Sequence, residues 1–176
     1  RIRAAVSAGE EHGAVNVIEG ERHLALVRLP GHIIAGPGRV EGPVEISEES
    51  WMEIPGLATT ITLSRPRDKV LIVYHADCHP TEYHYEAHFT VFRRCGENGS
   101  TKNLGFSSDF GMEMVSSDYR CSSEYPVGIF CDIPGGLGPW TYYLAARVAN
   151  TGTSSINPPV RTGYAGSISA VLLGLR

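Results

Sequence analysis

An all-β protein, built as two packed antiparallel sheets with an N-terminal extension, is what this sequence predicts, and three observations carry the prediction. Residues 57–92 hold three strand-like runs in succession, LATTITLS, KVLIVYHAD and YHYEAHFTVF, with turn chemistry between them. The composition, 20 Gly and 11 Pro with only 19% charged residues, suits many turns joining short strands better than a helical bundle. Eight to ten such runs recur along the chain at roughly the spacing of a sandwich or barrel. A chain of 176 residues is one domain of ordinary size, able to bury roughly 70% of its unfolded surface without a disulfide scaffold.

Residues 1–42 are the least regular. AVNVIEG and HLALVRL are strand-like with GERH between them, which predicts a hairpin or an extension lying along the domain; a helix over ERHLALVRL is the alternative. PGHIIAGPGRV reads as a loop with a short apolar insert. The acid-poor opening, RIRAAVSAGEE, has the flavour of a transit peptide, although an extended N-terminus explains it as well. PVEIS then starts a short strand, and Trp51 is expected as a buried anchor.

In the first run of the core, Leu57, Thr59, Ile61 and Leu63 alternate with smaller or polar residues, as a half-buried strand requires. The second run is apolar on both faces and β-branched, the mark of a central strand. In the third, Tyr85, Ala87, Phe89 and Val91 point one way and His84, Glu86, His88 and Thr90 the other, so the histidines are expected to look away from the core. RRCGENGSTKN is a turn or exposed loop, and the irregular NLGFSSDFGMEMVSSDYR supplies one or two edge strands. VGIFCDIP is a strand with Val127, Ile129 and Cys131 on one face, followed by the glycine-rich bend GGLGP. In WTYYLAARV, Trp140, Tyr142, Leu144, Ala146 and Val148 form the apolar face. The closing run, YAGSISAVLLGL, is apolar enough to sit in the middle of a sheet.

The chemistry-bearing residues are few. His75 and Asp77 share a face of the second run, and His84, Glu86 and His88 share one of the third; imidazoles and a carboxylate so placed are able to hold a metal. HYEAH lacks the cupin ligand pattern, and a solvated sheet face explains the same residues more simply, so neither metal nor cofactor is expected. No GxSxG elbow is present for serine catalysis, and GPGR and PGGLGP lack the strand–helix setting of a phosphate cradle. Asp109, Glu113, Asp118 and Glu124 lie in irregular sequence, where scattered surface acids are the common case.

Four cysteines, Cys78, Cys95, Cys121 and Cys131, show no CxxC spacing; local bridges 78 to 95 and 121 to 131 are the economical choice among three pairings and imply an oxidising, extracytosolic compartment, secreted or at a cell surface, with an organelle lumen such as a plastid's as the alternative. Asn98-Gly99-Ser100 is a glycosylation sequon in a polar loop. A net charge of −4 with scattered basic residues argues against nucleic acid as a partner, and no run approaches the ~20 apolar residues of a membrane-spanning helix.

The order of motifs from 43 to 176, IPGLATTITLSRPRDKVLIVYHADC, EAHFTVFRRCGENGS, VGIFCDIPGGLGPWTYYLAARVANTGTSSIN and YAGSISAVLLGL, resembles the jelly-roll domains of the tumour necrosis factor and complement globular-head superfamily. Residues 1–42 and the four cysteines have no counterpart in that pattern. The resemblance implies a jelly-roll sandwich that assembles as a homotrimer, binds protein partners through its surface and catalyses nothing; a single copy docked as an accessory subunit of a larger complex is the variant of that reading. Tyr74, Tyr143 and Tyr164 are the candidates to pack at the interface. The alternatives are a lectin-like or metal-binding sandwich, with a glycan held by loops near residues 105–119 and 151–161, and a small hydrolase on a sandwich fold, which requires convergent acids or histidines in a concave site.

Overall fold

A computed structural model describes residues 17–19, 22–24, 34–81, 85–97, 99–106, 111–117, 123–148 and 159–173. The chain divides into two compact units, Arg1–His32 and Ile33–Arg176. In the first, β1 (Val17–Glu19) pairs antiparallel with β2 (Arg22–Leu24), so the residues expected to be helical or strand-like contribute a short hairpin.

The second unit is an antiparallel two-sheet jelly-roll sandwich. Its long strands are β3 (Ile34–Arg39), β5 (Met52–Leu63), β6 (Lys69–Ala76), β8 (Tyr85–Cys95), β10 (Glu113–Ser117), β11 (Val127–Asp132), β12 (Gly138–Val148) and β14 (Gly166–Leu173). One sheet runs β10-β8-β12-β5 and the other β11-β6-β14-β3, so the chain crosses between sheets at almost every step. β4 (Val44–Ile46), β7 (His79–Pro80) and β13 (Val160–Thr162) form a small third sheet, and β9 (Thr101–Asn103) pairs with β8.

Alternation explains the faces. Leu57, Thr59, Ile61 and Leu63 of β5, Val70, Ile72, Tyr74 and Ala76 of β6, Ala87, Phe89 and Val91 of β8, and Tyr142, Leu144, Ala146 and Val148 of β12 all point into the space between the sheets and are buried. The C-terminal strand β14 lies between β6 and β3, as its apolar run predicts.

Two expectations are corrected in the first forty residues of this unit. The sandwich begins before residue 43, because the segment read as a loop is a strand: β3 pairs with β14. Its glycines misled the reading. A Cβ on Gly38 would sit 2.1 Å from the Ala58 carbonyl oxygen, so glycine serves here to let two backbones approach rather than to turn the chain. Across that contact β5 is kinked at Pro55-Gly56, where Gly56 has φ +80° and its pairing with β12 jumps from Ala58 opposite Tyr143 to Glu53 opposite Ala145.

One polar cluster joins the sheets. Arg93, on the inward face of β8, donates to both carboxylate oxygens of Asp132 on β11 at 2.6 Å, and the Tyr142 hydroxyl donates to the same carboxylate at 2.9 Å. The Arg93 guanidinium also lies 5.2 Å over the Trp140 ring. Burial and the Asp132 charge push the Tyr142 phenol up from its ordinary range, which keeps it a donor.

The expected 78 to 95 disulfide is also corrected, while the 121 to 131 bridge involves a residue outside the described ones. Cys78, Cys95 and Cys131 are free, and Cys121 lies outside the described residues. The reason is geometric. The Arg93–Asp132 contact and the Asp132–Val70 pairing place the Cys95 end of β8 over the start of β6, whereas Cys78 follows the far end of β6. Eight residues of strand separate Val70 from Cys78, about 26 Å at the strand rise, against the ~6 Å between Cα atoms that a disulfide spans. The inference from this bridge to an oxidising compartment loses its basis with it.

Replacing Asp132 by Ala leaves an inward guanidinium and a buried phenol without their acceptor, and urea unfolding should show a loss of about 2–3 kcal/mol; an unchanged midpoint would show that the sheets do not depend on the cluster. Alkylation with iodoacetamide under native conditions, read by peptide mass, should modify Cys95 and Cys131 and spare Cys78. Its thiol is fully buried and pushed up to about 12 by burial and by the Asp77 and Glu124 carboxylates.

Candidate protein-interaction surface

The histidine face of β8 looks away from the core, as the alternation predicts, but it is not solvated. His88 is fully buried and its Nε2 lies 2.6 Å from the Glu86 carboxylate; His84 lies outside the described residues. β8 is an inner strand whose outward face is covered as well. β9 pairs antiparallel with residues 92–94 of β8 and β10 with residues 85–89. The backbone N–H groups of Leu104 and Met112 bond to the Val91 and Phe89 carbonyls. Asn103 Oδ1 accepts from the Thr90 hydroxyl at 2.6 Å and from the Gly105 N–H at 2.8 Å. Trp51 completes the cover, half-buried, edge-on to Phe92 at 6.0 Å and under the Arg147 guanidinium at 5.3 Å. Among the described residues no three His, Cys, Asp or Glu side chains converge as a metal set.

His75 and Asp77 do not share a face either. β6 ends at Ala76, so His75 is exposed beside Ser167 while Asp77 turns inward and is buried. The three tyrosines proposed for an interface are scattered. Tyr74 is buried, since it belongs to the inward set of β6; Tyr143 is half-buried on the outer face of the other sheet, stacked on Phe92 at 5.5 Å; Tyr164 is exposed in the turn before β14. Asn98, the sequon residue, lies outside the described residues.

The structure instead exposes apolar surface along β11. This is the edge strand of its sheet, bonded to β6 on one side, and Val127 and Ile129 on its outward face are 65% and 69% exposed. Ile133 and Leu137 continue the row into the glycine bend, and Phe106 is fully exposed across the way. Between them runs a groove of about 600 Å³, lined by Leu104, Phe106, Met112, Val127, Ile129 and Phe130 among others. Edge strands normally carry charge or proline that discourages pairing; β11 has neither on its exposed face. Its single charge, Asp132, is taken by Arg93.

Glu113 closes the floor of the groove. It stands on β10, the edge strand of the opposite sheet, and accepts from the Tyr74 hydroxyl and from the Val127 N–H across the gap. The ring of Tyr74 occupies the space a Cβ on residue 128 would need, which is why glycine stands there. Burial raises the Glu113 carboxyl above its ordinary range, outweighing the two donors, and its Oε2 is buried without a partner among the described residues. Sequence reading placed Val127, Ile129 and Cys131 together on one face, but their exposure depends on β11 being an edge, which no local pattern reports.

By fold the chain is a jelly-roll sandwich. No family model matches it, and no curated protein does. Among solved structures it is similar to that of infectious bursal disease virus, Gx strain, with TM-score 0.57 and 7% identity over 97% of this chain and 42% of that one. It is likewise similar to the VP2 subviral particle of infectious bursal disease virus, with TM-score 0.54 and 10% identity over 96% of this chain and 41% of that one. The likeness is one of fold, and the chain spans less than half the length of either neighbour.

Because the folded chain holds the Glu113 proton more tightly than an unfolded chain does, this carboxyl favours folding at low pH, and that contribution is lost as pH rises above the ordinary carboxylate range. Glu113→Gln keeps an acceptor for Tyr74 and Val127 but cannot ionise. Its urea midpoint relative to the parent chain should therefore improve between pH 5 and pH 7. A constant difference over that range would show that Glu113 ionises as freely in the sandwich as in the unfolded chain.

Proposed function

We propose that this protein is a structural module that associates with further copies of itself through β11 and the adjoining groove, the trimer being the expected assembly. The observation that carries the reading is the exposed row Val127, Ile129, Ile133 and Leu137 at an unprotected sheet edge, a surface that a solitary sandwich in water has no reason to keep. Two further points support it. One neighbour in fold is the VP2 subviral particle of infectious bursal disease virus. The motif order over 43–176 resembles a superfamily whose jelly rolls assemble as homotrimers. In a closed ring of identical copies the edge of one chain meets a second surface of the next, and the groove beside β11 offers such a surface without further contacts. Docking of a single copy on a larger complex uses the same face and is the second reading.

Mass by light scattering separates these. The parent chain at micromolar concentration should run as three copies. Ile129→Asp should shift dissociation by roughly 10–100-fold, the equivalent of about 1.5–3 kcal/mol for one buried aliphatic side chain. A monomer at every concentration, with Ile129→Asp indistinguishable from the parent, would remove the self-assembly reading and leave the accessory one.

A further inference from the structure

At the opposite end of β6 from the Arg93 cluster, Asp77 and His79 stand in line with Ser123, which is 44 residues further along the chain. Asp77 Oδ2 lies 2.7 Å from His79 Nε2, and His79 Nδ1 lies 2.8 Å from the Ser123 hydroxyl oxygen. We propose that Asp77, His79 and Ser123 form a nucleophilic serine site that accepts acyl groups from activated aryl esters. It is independent of the assembly surface.

The order of roles follows from the hydrogen bonds. Asp77 is buried and receives the backbone N–H groups of Gly163 at 3.0 Å, Tyr164 at 3.3 Å and Ala165 at 3.1 Å. The carboxylate only accepts, so the imidazole nitrogen facing it carries the proton. His79 therefore presents its Nδ1 lone pair to Ser123, and the serine hydroxyl donates to it. That is the arrangement of a general base and its nucleophile, with the third group setting the tautomer. The two ring nitrogens have exchanged the places they hold in familiar serine enzymes, which leaves the logic intact because either nitrogen serves as base when the other is protonated.

The setting favours a ligand over a mere tie between loops. Ser123 is exposed, and His79 keeps about a third of its side chain exposed, so both reacting atoms meet solvent. The rings of Tyr164 and Tyr125 flank the imidazole edge-on at 5.1 and 6.4 Å and are themselves 56% and 66% exposed. Two free aromatic faces beside a nucleophile suit an aromatic leaving group. The N–H groups of the 163–165 turn are taken by Asp77, so the carbonyl oxygen gains little from that quarter. An aryl ester, whose phenolate departs without being protonated, asks least of the site.

In the reaction the Ser123 oxygen bonds to the acyl carbon while its proton passes to His79 Nδ1, and the bond from acyl carbon to aryloxide breaks. The proton on His79 then passes to solvent; water attacks the acyl-serine, gives a proton to the freed Nδ1, and His79 returns it to the Ser123 oxygen as the acyl–oxygen bond breaks, so that carboxylic acid and free Ser123 result. Nothing is oxidised or reduced. Asp77 is a positioning residue throughout.

The test uses p-nitrophenyl acetate and a fluorophosphonate probe on the whole chain. The expected result is a burst of nitrophenolate, an acetyl or phosphonyl group found by peptide mass on Ser123, and a fall of about 100-fold in the burst rate for both Ser123→Ala and His79→Gln, with no further fall in the double variant. Labelling of the native chain on other residues, or a burst unchanged in Ser123→Ala, overturns the proposal and leaves the three residues as a structural tie. Thermal unfolding of each variant guards against a trivial loss. The probe result on the unmutated chain stands even where a variant fails to fold.

Discussion

Each long strand of this sandwich has to bury one of its two faces against the opposite sheet, and the rest of the molecule is arranged around meeting that demand. Ile72, Phe89, Tyr142 and Leu144 reach the core from both sheets because the chain changes sheet between β5, β6, β8, β11, β12 and β14. The devices that look irregular in sequence serve the same closure. Gly38 lets β3 lie against β5, the Pro55-Gly56 kink bends β5 to follow, and Gly128 makes room for the ring of Tyr74.

Several of the buried polar groups are held by specific partners. Asp132 is held by Arg93 and Tyr142, Asp77 by the backbone of the 163–165 turn and by His79, and Thr90 by Asn103. Glu113 is the exception in degree: two donors do not offset its burial, and it sits at the seam between the edge strands β10 and β11. The seam is also where apolar surface remains uncovered. The uncovered apolar row and the raised carboxyl beneath it thus stand at one place.

The two surfaces proposed for function sit on different physical grounds. The β11 row is a property of an edge, defined by what fails to cover it. The Asp77, His79 and Ser123 line is a property of a corner, where the end of β6, the turn before β14 and the Cys78–Glu124 bridge bring three segments together. An assembly that buries the first leaves the second to be judged by its own chemistry.

Much of the sandwich was legible in the chain. Alternation over β5, β8 and β12 named the buried residues one by one, and the apolar run of β14 announced an inner strand, because a strand with one face in the core must repeat every two residues. What the pattern cannot report is what covers the other face. His88 has the spacing of an outward residue and is nevertheless fully buried, on a sheet face against which Trp51 and Gly111 also pack, so only the tertiary structure decided its burial. The glycines of β3 carry a loop signature, and only their close contact with β5 makes them part of a strand; Cys78 and Cys95 have pairable spacing in sequence, and only strand length sets them at opposite ends. The sequence by itself determined the fold class and the core, since these follow from local periodicity and the need to bury apolar area. The tertiary structure alone decided which strand became an edge and which distant residues met Asp77, since both depend on contacts between segments that no neighbouring residue encodes.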